Sequence, residues 1–368
     1  MQRSIKLSII ALVVIGFAIN ESNADTLLVP EQFPTIQSAI DAATDGDVVD
    51  IGIGIFKGNG NRDLSFHGKA ITVRGRFGPK FTILDAEGTP QKPHRVFVFN
   101  SGETLDSVVE GVSICGGATL PGAILDQFNG GGLFFSESSA TIRNCIISDN
   151  QCGCWGAGVY CGFNSAPLFI NCDISHNAAD DDGGAVFLLS ADNVTLVNCN
   201  LNNNFATAAG GAIADFGGSG ELSIINCNIL NNDSNFGSAV LGFNSTVTNS
   251  IIWNNSGNQP IYQDWTEIQF SIVEGGYEGV GNLNTDPKFV DPANANFRLN
   301  TGSPAIDAGD NTSIPFGIAI DANGQPRFQD DPTVTDTGIQ GAFQAVVDMG
   351  PIEYFKPNRR ATVPYIPR

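Results

Sequence analysis

The side chains best suited to chemistry crowd into one stretch of this 368-residue chain: Asp149, Asp173, His176 and the run Asp180-Asp181-Asp182, with Trp155, Tyr160 and Phe163 close by. Two carboxylates are what hydrolysis of a sugar chain requires, about 5–5.5 Å apart for retention and about 6.5–9.5 Å for inversion. Asp149, Asp173, His176 and Asp181 are therefore the catalytic candidates. Asp180 and Asp182 are candidate ligands for Ca²⁺, which takes carboxylate and carbonyl oxygens. A solvated acidic turn is the competing reading of the whole run. Trp155 and Tyr160 are the candidates for stacking on sugar rings. Cys152, Cys154 and Cys161 with His176 offer a weaker zinc set, since the chain has three His and no paired C-x-x-C. A local disulfide, Cys154 to Cys161, is another use of those thiols. None of these readings requires a cofactor, and Ca²⁺ is the optional one.

An eliminating lyase makes a different demand: a base of the Lys, Arg, His or Tyr type, and cations to neutralise an acidic sugar. Between Val96 and Pro287 the single Lys or Arg is Arg143. The central sequence thus argues against elimination there. With Asp+Glu 38 against Lys+Arg 18 and a formal charge of −20, the chain also lacks the basic face that a nucleic-acid partner requires.

These residues sit inside a repeat. Asn144, Asn171, Asn198, Asn226 and Asn249 each open a segment of the pattern Asn-Cys/Ser-x-Ile/Leu, at spacings of 27, 27, 28 and 23. A second marker, Gly-Gly/Ala/Ser-Gly/Ala followed by an aliphatic residue, recurs between them from Gly130, Gly156, Gly183, Gly210 and Gly237. Two independent markers on one period indicate a solenoid. Apolar residues at every second position, such as Cys145 and Ile147, indicate short strands with one face buried. Stacking places equivalent residues about 4.8 Å apart, the spacing of paired strands, which is the logic of a β-helix. The Cys column 145, 172, 199 and 227 faces inward by parity and serves as core. Six residues after each leading Asn stands another: Asn150, Asn177, Asn204, Asn232 and Asn255. These predict left-handed corners and stacked amides along the axis, with a polar ligand-binding stripe as the alternative. The Gly markers predict bends where a side chain would clash.

The ends differ from the middle. Arg3 and Lys6, an apolar run from Leu7 to Ala18, and Ser22-Asn23-Ala24 predict a secretory leader over residues 1–24, and hence a secreted protein, extracellular or on the cell surface, with no transmembrane segment after its removal. Residues 25–285 form the solenoid, opened by an entry strand and an amphipathic helix with Ala39, Ile40 and Ala43 on one face. From 286 to 368 the repeat is lost. The aliphatic ridge Ile170, Val197 and Ile225 faces away from the core by parity, so the final segment is expected to cover it as an irregular cap. Trp253 is expected to pack against that cap. Asp321-Ala322-Asn323-Gly324 reads as an Asx turn before it reads as a Ca²⁺ loop.

Pro34-Thr35-Ile36-Gln37-Ser38-Ala39-Ile40, Gly46-Asp47-Val48-Val49, Gly302-Ser303-Pro304-Ala305-Ile306-Asp307-Ala308-Gly309 and Asp348-Met349-Gly350, with the repeats, resemble secreted right-handed parallel β-helix proteins of the pectate-lyase-like superfamily that carry polymorphic-membrane-protein-like repeats. The resemblance implies an all-β, right-handed parallel β-helix with an N-terminal capping helix. Ile53 stands where relatives tend to read Pro-Gly before an aromatic. The family includes polysaccharide lyases and hydrolases alongside surface proteins, and the Gly-His-Gly of pectin-hydrolysing relatives is absent here. The expected function is glycan binding or cell-surface structure, with a polysaccharide-degrading enzyme as the alternative. The expected partner is a polysaccharide or cell-surface glycan.

Overall fold

The computed structural model describes residues 24–122, 129–218, 220–262, 266–342 and 345–355. The expected leader, apart from Ala24, lies outside them. Among the described residues no helix is long and apolar enough to cross a membrane.

The chain winds as a parallel β-helix. A first sheet of ten strands runs from Thr26–Val29 to Thr266–Gln269, a second of nine from Gly54–Phe56 to Ile272–Val273, and a third of seven from Phe97–Phe99 to Ile261–Tyr262. Five short strands, Gln151–Cys152 to Ser256–Asn258, form a fourth. Successive coils pair in parallel and in register, with Ile142 beside Phe169 and Phe169 beside Leu196.

The inward columns are dry. Ile142, Phe169, Leu196, Ile224 and Val247 are fully buried, as are Ile147, Ile174, Leu201 and Ile229. Cys145, Cys172, Cys199 and Cys227 join the same core, and burial pushes the thiol pKa values of Cys145, Cys172 and Cys199 well up. No disulfide links any of the eight cysteines. The expected Cys154–Cys161 link is not made: Cys161 packs in the central core with Val159, whereas Cys154 is buried outside that cluster.

The second Asn column forms an internal ladder. Asn150, Asn177, Asn204 and Asn232 are almost completely buried, and each Nδ2 donates to the Oδ1 of the next coil's Asn at 3.0 Å. The left-handed corner lies one residue earlier than expected. Asp149, His176, Asn203, Asn231 and Asn254 carry φ between 54° and 56°, and the leading Asn residues a φ of 51–55°. Asn, Asp and His are the non-glycine residues most at home there, which gives Asp149 and His176 a structural reason for their shared column. Gly130, Gly156, Gly183, Gly210 and Gly237 have φ of 56–70°. A Cβ on Gly184 would stand 2.3 Å from Gly211 O, which enforces the second glycine in that coil.

The capping helix spans Ile36–Ala42. Thr35 and Ser38 form its capping box, and Ile36, Ala39 and Ile40 are buried with Leu27, Val29 and Val49 of the first strands.

Candidate functional site

The outward face of the second sheet changes character along the axis. One outward column reads Ile146, Asp173, Asn200, Asn228, Ile251 and Ile272, and its neighbour reads Ser148, Ser175, Asn202, Leu230 and Trp253. Both are polar in the middle coils and apolar in the last. The C-terminal segment covers the apolar part: Phe297, Leu299, Ala305, Ile306 and Met349 pack with Leu230, Ile251 and Ile272, and Trp253 rests against them. The segment is therefore centred on this face. It reaches the edge of the predicted Ile170-Val197-Ile225 ridge through the corner amides: Asn198 Nδ2 donates to Ile320 O at 3.1 Å, Asn226 Nδ2 to Asp348 O at 3.1 Å, and Asn249 Nδ2 to Asp310 O at 2.9 Å.

A clasp holds it there. Arg327 is fully buried, with Nη1 2.7 Å from Glu353 Oε1 and Nη2 donating to Asn198 Oδ1 and to Pro351 O. Asp321 is an Asx turn: its Oδ1 accepts from Asn323 N and Gln325 N, and its Oδ2 from Glu353 N.

The polar part of the face stays open and floors a groove of about 850 Å³. Asp173 and Asn200 line it beside the corner amides Asn144, Asn171 and Asn198, and Lys80 and Arg298 are the cations of its lining. Asn171 Nδ2 donates to Asn144 Oδ1 at 3.1 Å and Asn198 Nδ2 to Asn171 Oδ1 at 3.0 Å, so the floor is an ordered amide ladder. Arg298 is exposed and bonds only Asn296 Oδ1, at 3.0 Å; Lys80 is exposed and has no ion-pair partner among the described residues. A second hollow of about 620 Å³ shares Arg298, Asn323 and Ile352 with the groove. Burial raises the pKa of Asp173 above the usual carboxylate range, against the hydrogen bonds it accepts from Ser175 and Asn202. The one basic residue of the central coils, Arg143, is spent on Glu110 at 2.8 Å.

Of the catalytic, sugar-stacking and metal candidates read from the sequence, Asp173 alone lines this groove. Asp149 is exposed at its corner and accepts from Ser148 Oγ at 2.8 Å, and His176 occupies the equivalent exposed corner one coil on. Trp155, Tyr160 and Asp181 gather elsewhere, on the outward face of the third sheet. Tyr160 is 2% exposed and stacks between Phe134 at 5.3 Å and Phe187 at 5.9 Å, so both ring faces are taken. Trp155 stacks on Phe187 at 4.8 Å and donates its indole N–H to Asp181 Oδ2 at 3.1 Å. Asp180 is exposed, whereas Asp182 is buried and accepts from Ala209 N at 2.9 Å. The oxygens of Asp180, Asp181 and Asp182 do not converge as a ligand group; one group elsewhere does. Arg298 escapes the sequence reading, Lys80 reads there as ordinary solvated charge, and the corner amides read as a repeat marker rather than as a site. The polar-to-apolar switch along the outward columns was the available signal.

Residues 104–272 match the family profile described as "Right handed beta helix region". The matched stretch falls within the parallel coils described above. The crystal structure of pectate lyase Pel9A is similar over 90% of this chain and 97% of its own, at 13% identity and a TM-score of 0.45. No curated protein matches the sequence.

Proposed function

We propose that this is an exported glycan-binding protein whose groove holds a stretch of polysaccharide bearing carboxylates. The observation that carries the reading is the groove itself: an amide-lined floor and two cations, Lys80 and Arg298, that no carboxylate of the described residues neutralises. Amides donate to and accept from sugar hydroxyls, and a guanidinium takes a carboxylate through two parallel hydrogen bonds. Asp173 is the one carboxylate lining the groove, and hydrolysis uses two, which supports binding over hydrolysis. The proposed site of action is outside the cell or on its surface.

Calorimetric titration of the full chain with a polygalacturonate oligosaccharide and with a neutral xylan oligosaccharide tests this. The acidic ligand is expected to bind more tightly, to weaken as salt rises, and to lose at least about tenfold in affinity in Lys80→Ala/Arg298→Ala, the equivalent of about 1.4 kcal/mol. Equal affinity for both ligands, or an unchanged double variant, overturns the proposal. Release of reducing ends or of unsaturated sugar would select degradation instead.

A further inference from the structure

The C-terminal segment carries a group of carboxylates that neither the clasp nor the groove uses. Among the described residues, one set of three ligand-bearing side chains converges: a carboxylate oxygen from each of Asp307, Asp330 and Asp336, all within 4.8 Å of one another. Asp330 and Asp336 are exposed, so the set opens to solvent, but Asp307 is 1% exposed. Its Oδ2 accepts a long bond of 3.4 Å from Asp331 N, and its Oδ1, also buried, has no hydrogen-bond partner. A buried carboxylate oxygen left without a partner is costly and calls for one.

The neighbouring polar groups do not supply it. Asp331 turns its Oδ1 to Thr333, Asp348 gives its Oδ1 to the Asp307 backbone N–H, and Asp336 accepts from Gln340 Nε2. No Lys or Arg lies within ion-pair distance of the three among the described residues. Three carboxylates without a counter-cation repel one another.

We propose that Asp307, Asp330 and Asp336 bind Ca²⁺. The donors are all hard carboxylate oxygens, the set this ion prefers over nitrogen or sulfur. Ca²⁺ takes six to eight oxygens at about 2.3–2.6 Å in flexible geometry, whereas Mg²⁺ requires a near-ideal octahedron at about 2.0–2.1 Å and gives up its waters reluctantly. The placement gives the ion a task. The backbone of this loop already returns to Asp307, with Thr337 N on Asp307 O at 2.9 Å and Ile339 N on Gly309 O at 2.9 Å. Asp310 N, three residues on, is fastened to Asn249 Oδ1 at 2.7 Å. A bound cation would therefore tether the loop holding Asp330 and Asp336 to the solenoid.

The test uses the full chain, stripped with a chelator and titrated with CaCl₂ at neutral pH by calorimetry and by thermal melting. The expected result is one site per chain with a Kd below about 1 mM, a Tm that climbs with Ca²⁺ concentration, and a smaller response to MgCl₂. Asp330→Asn and Asp336→Asn alter exposed side chains and should fold; each is expected to weaken binding at least about tenfold, while Asp180→Asn leaves it unchanged. Absence of binding heat and of a Tm shift at about 10 mM CaCl₂, or undiminished binding in Asp330→Asn/Asp336→Asn, overturns the proposal.

Discussion

Replacing Asn204 by Ala tests the internal amide ladder at its centre. Asn204 is 1% exposed, and its side chain serves three neighbours. Nδ2 donates to Ile174 O at 2.9 Å and to Asn232 Oδ1 at 3.0 Å, while Oδ1 accepts from Asn177 N at 3.1 Å and Asn177 Nδ2 at 3.0 Å. After truncation the Asn232 oxygen keeps the backbone N–H of residue 204, and Asn177 Nδ2 keeps Ile147 O and Ser175 O. The backbone N–H of Asn177 keeps no partner. A buried orphan donor costs about 1–3 kcal/mol, and the three further lost bonds about 1 kcal/mol net each, so the expected loss is about 4–6 kcal/mol. Urea unfolding of the full chain measures it. Asn203→Gly is the matched control: residue 203 is exposed with φ of 54°, a conformation that glycine adopts freely, so that variant should stay within about 0.5 kcal/mol of the parent. A loss below about 1 kcal/mol for Asn204→Ala would refute the claim that the ladder carries stability.

Arg327→Met leaves Glu353 buried without its cation and should cost about 3–5 kcal/mol by urea unfolding, whereas Arg327→Met/Glu353→Met should regain a large part of that loss. Burial and the charge of Asp181 raise the pKa of Asp182 to about 6 from an ordinary 3.8. The folded state therefore holds its proton more tightly than the unfolded one, so stability rises as pH falls from above about 6 towards about 4. No cation pairs with it among the described residues, and an amide oxygen can still accept from Ala209 N. Asp182→Asn should accordingly gain about 1–2 kcal/mol at pH 8 and nothing at pH 4 in the same unfolding assay. Thiol titration of the native chain should label at most Cys115 slowly, because that side chain is only partly buried with a pKa near 11, while denaturant should release all eight; fast labelling of several thiols in the native state would contradict the stacked core.

The parts of this fold that were legible in the sequence are those where each residue answers to a neighbour at a fixed step. Cys145 predicts Cys172, and Asn150 predicts Asn177, because every coil offers the same cavity to the same position. The helix Ile36–Ala42 was legible for a local reason: Thr35 and Ser38 lie within one turn of the residues they cap. The corner was misplaced by one residue, because Asn serves both as a left-handed residue and as a ladder amide, and the sequence alone does not say which Asn does which. The groove was hidden for a third reason. Arg327 meets Asn198 across 129 residues, and Arg298 lines the same groove as Asp173 from a segment with no repeat to give it a register. Side chains that meet through irregular chain leave no period to read.

Asn228 marks where the two halves of the outward face meet. It follows Asn200 in the column, donating to that residue's Oδ1 at 2.9 Å, and precedes Ile251. It is 1% exposed, its own Oδ1 is unpartnered, and a Cβ on Gly350 would stand 3.1 Å from that oxygen. The C-terminal segment thus lands on the last polar rung and covers every apolar one beyond it. The groove therefore depends on the cover: the apolar rungs Leu230, Ile251 and Ile272 hold the segment in place, and the segment in turn brings Arg298 to the groove. Deleting the chain from residue 286 would remove Arg298 and expose that apolar surface together, leaving an aggregation-prone solenoid. For that reason the binding reading stands or falls on point substitutions at Lys80 and Arg298, whose exposed side chains carry none of the packing.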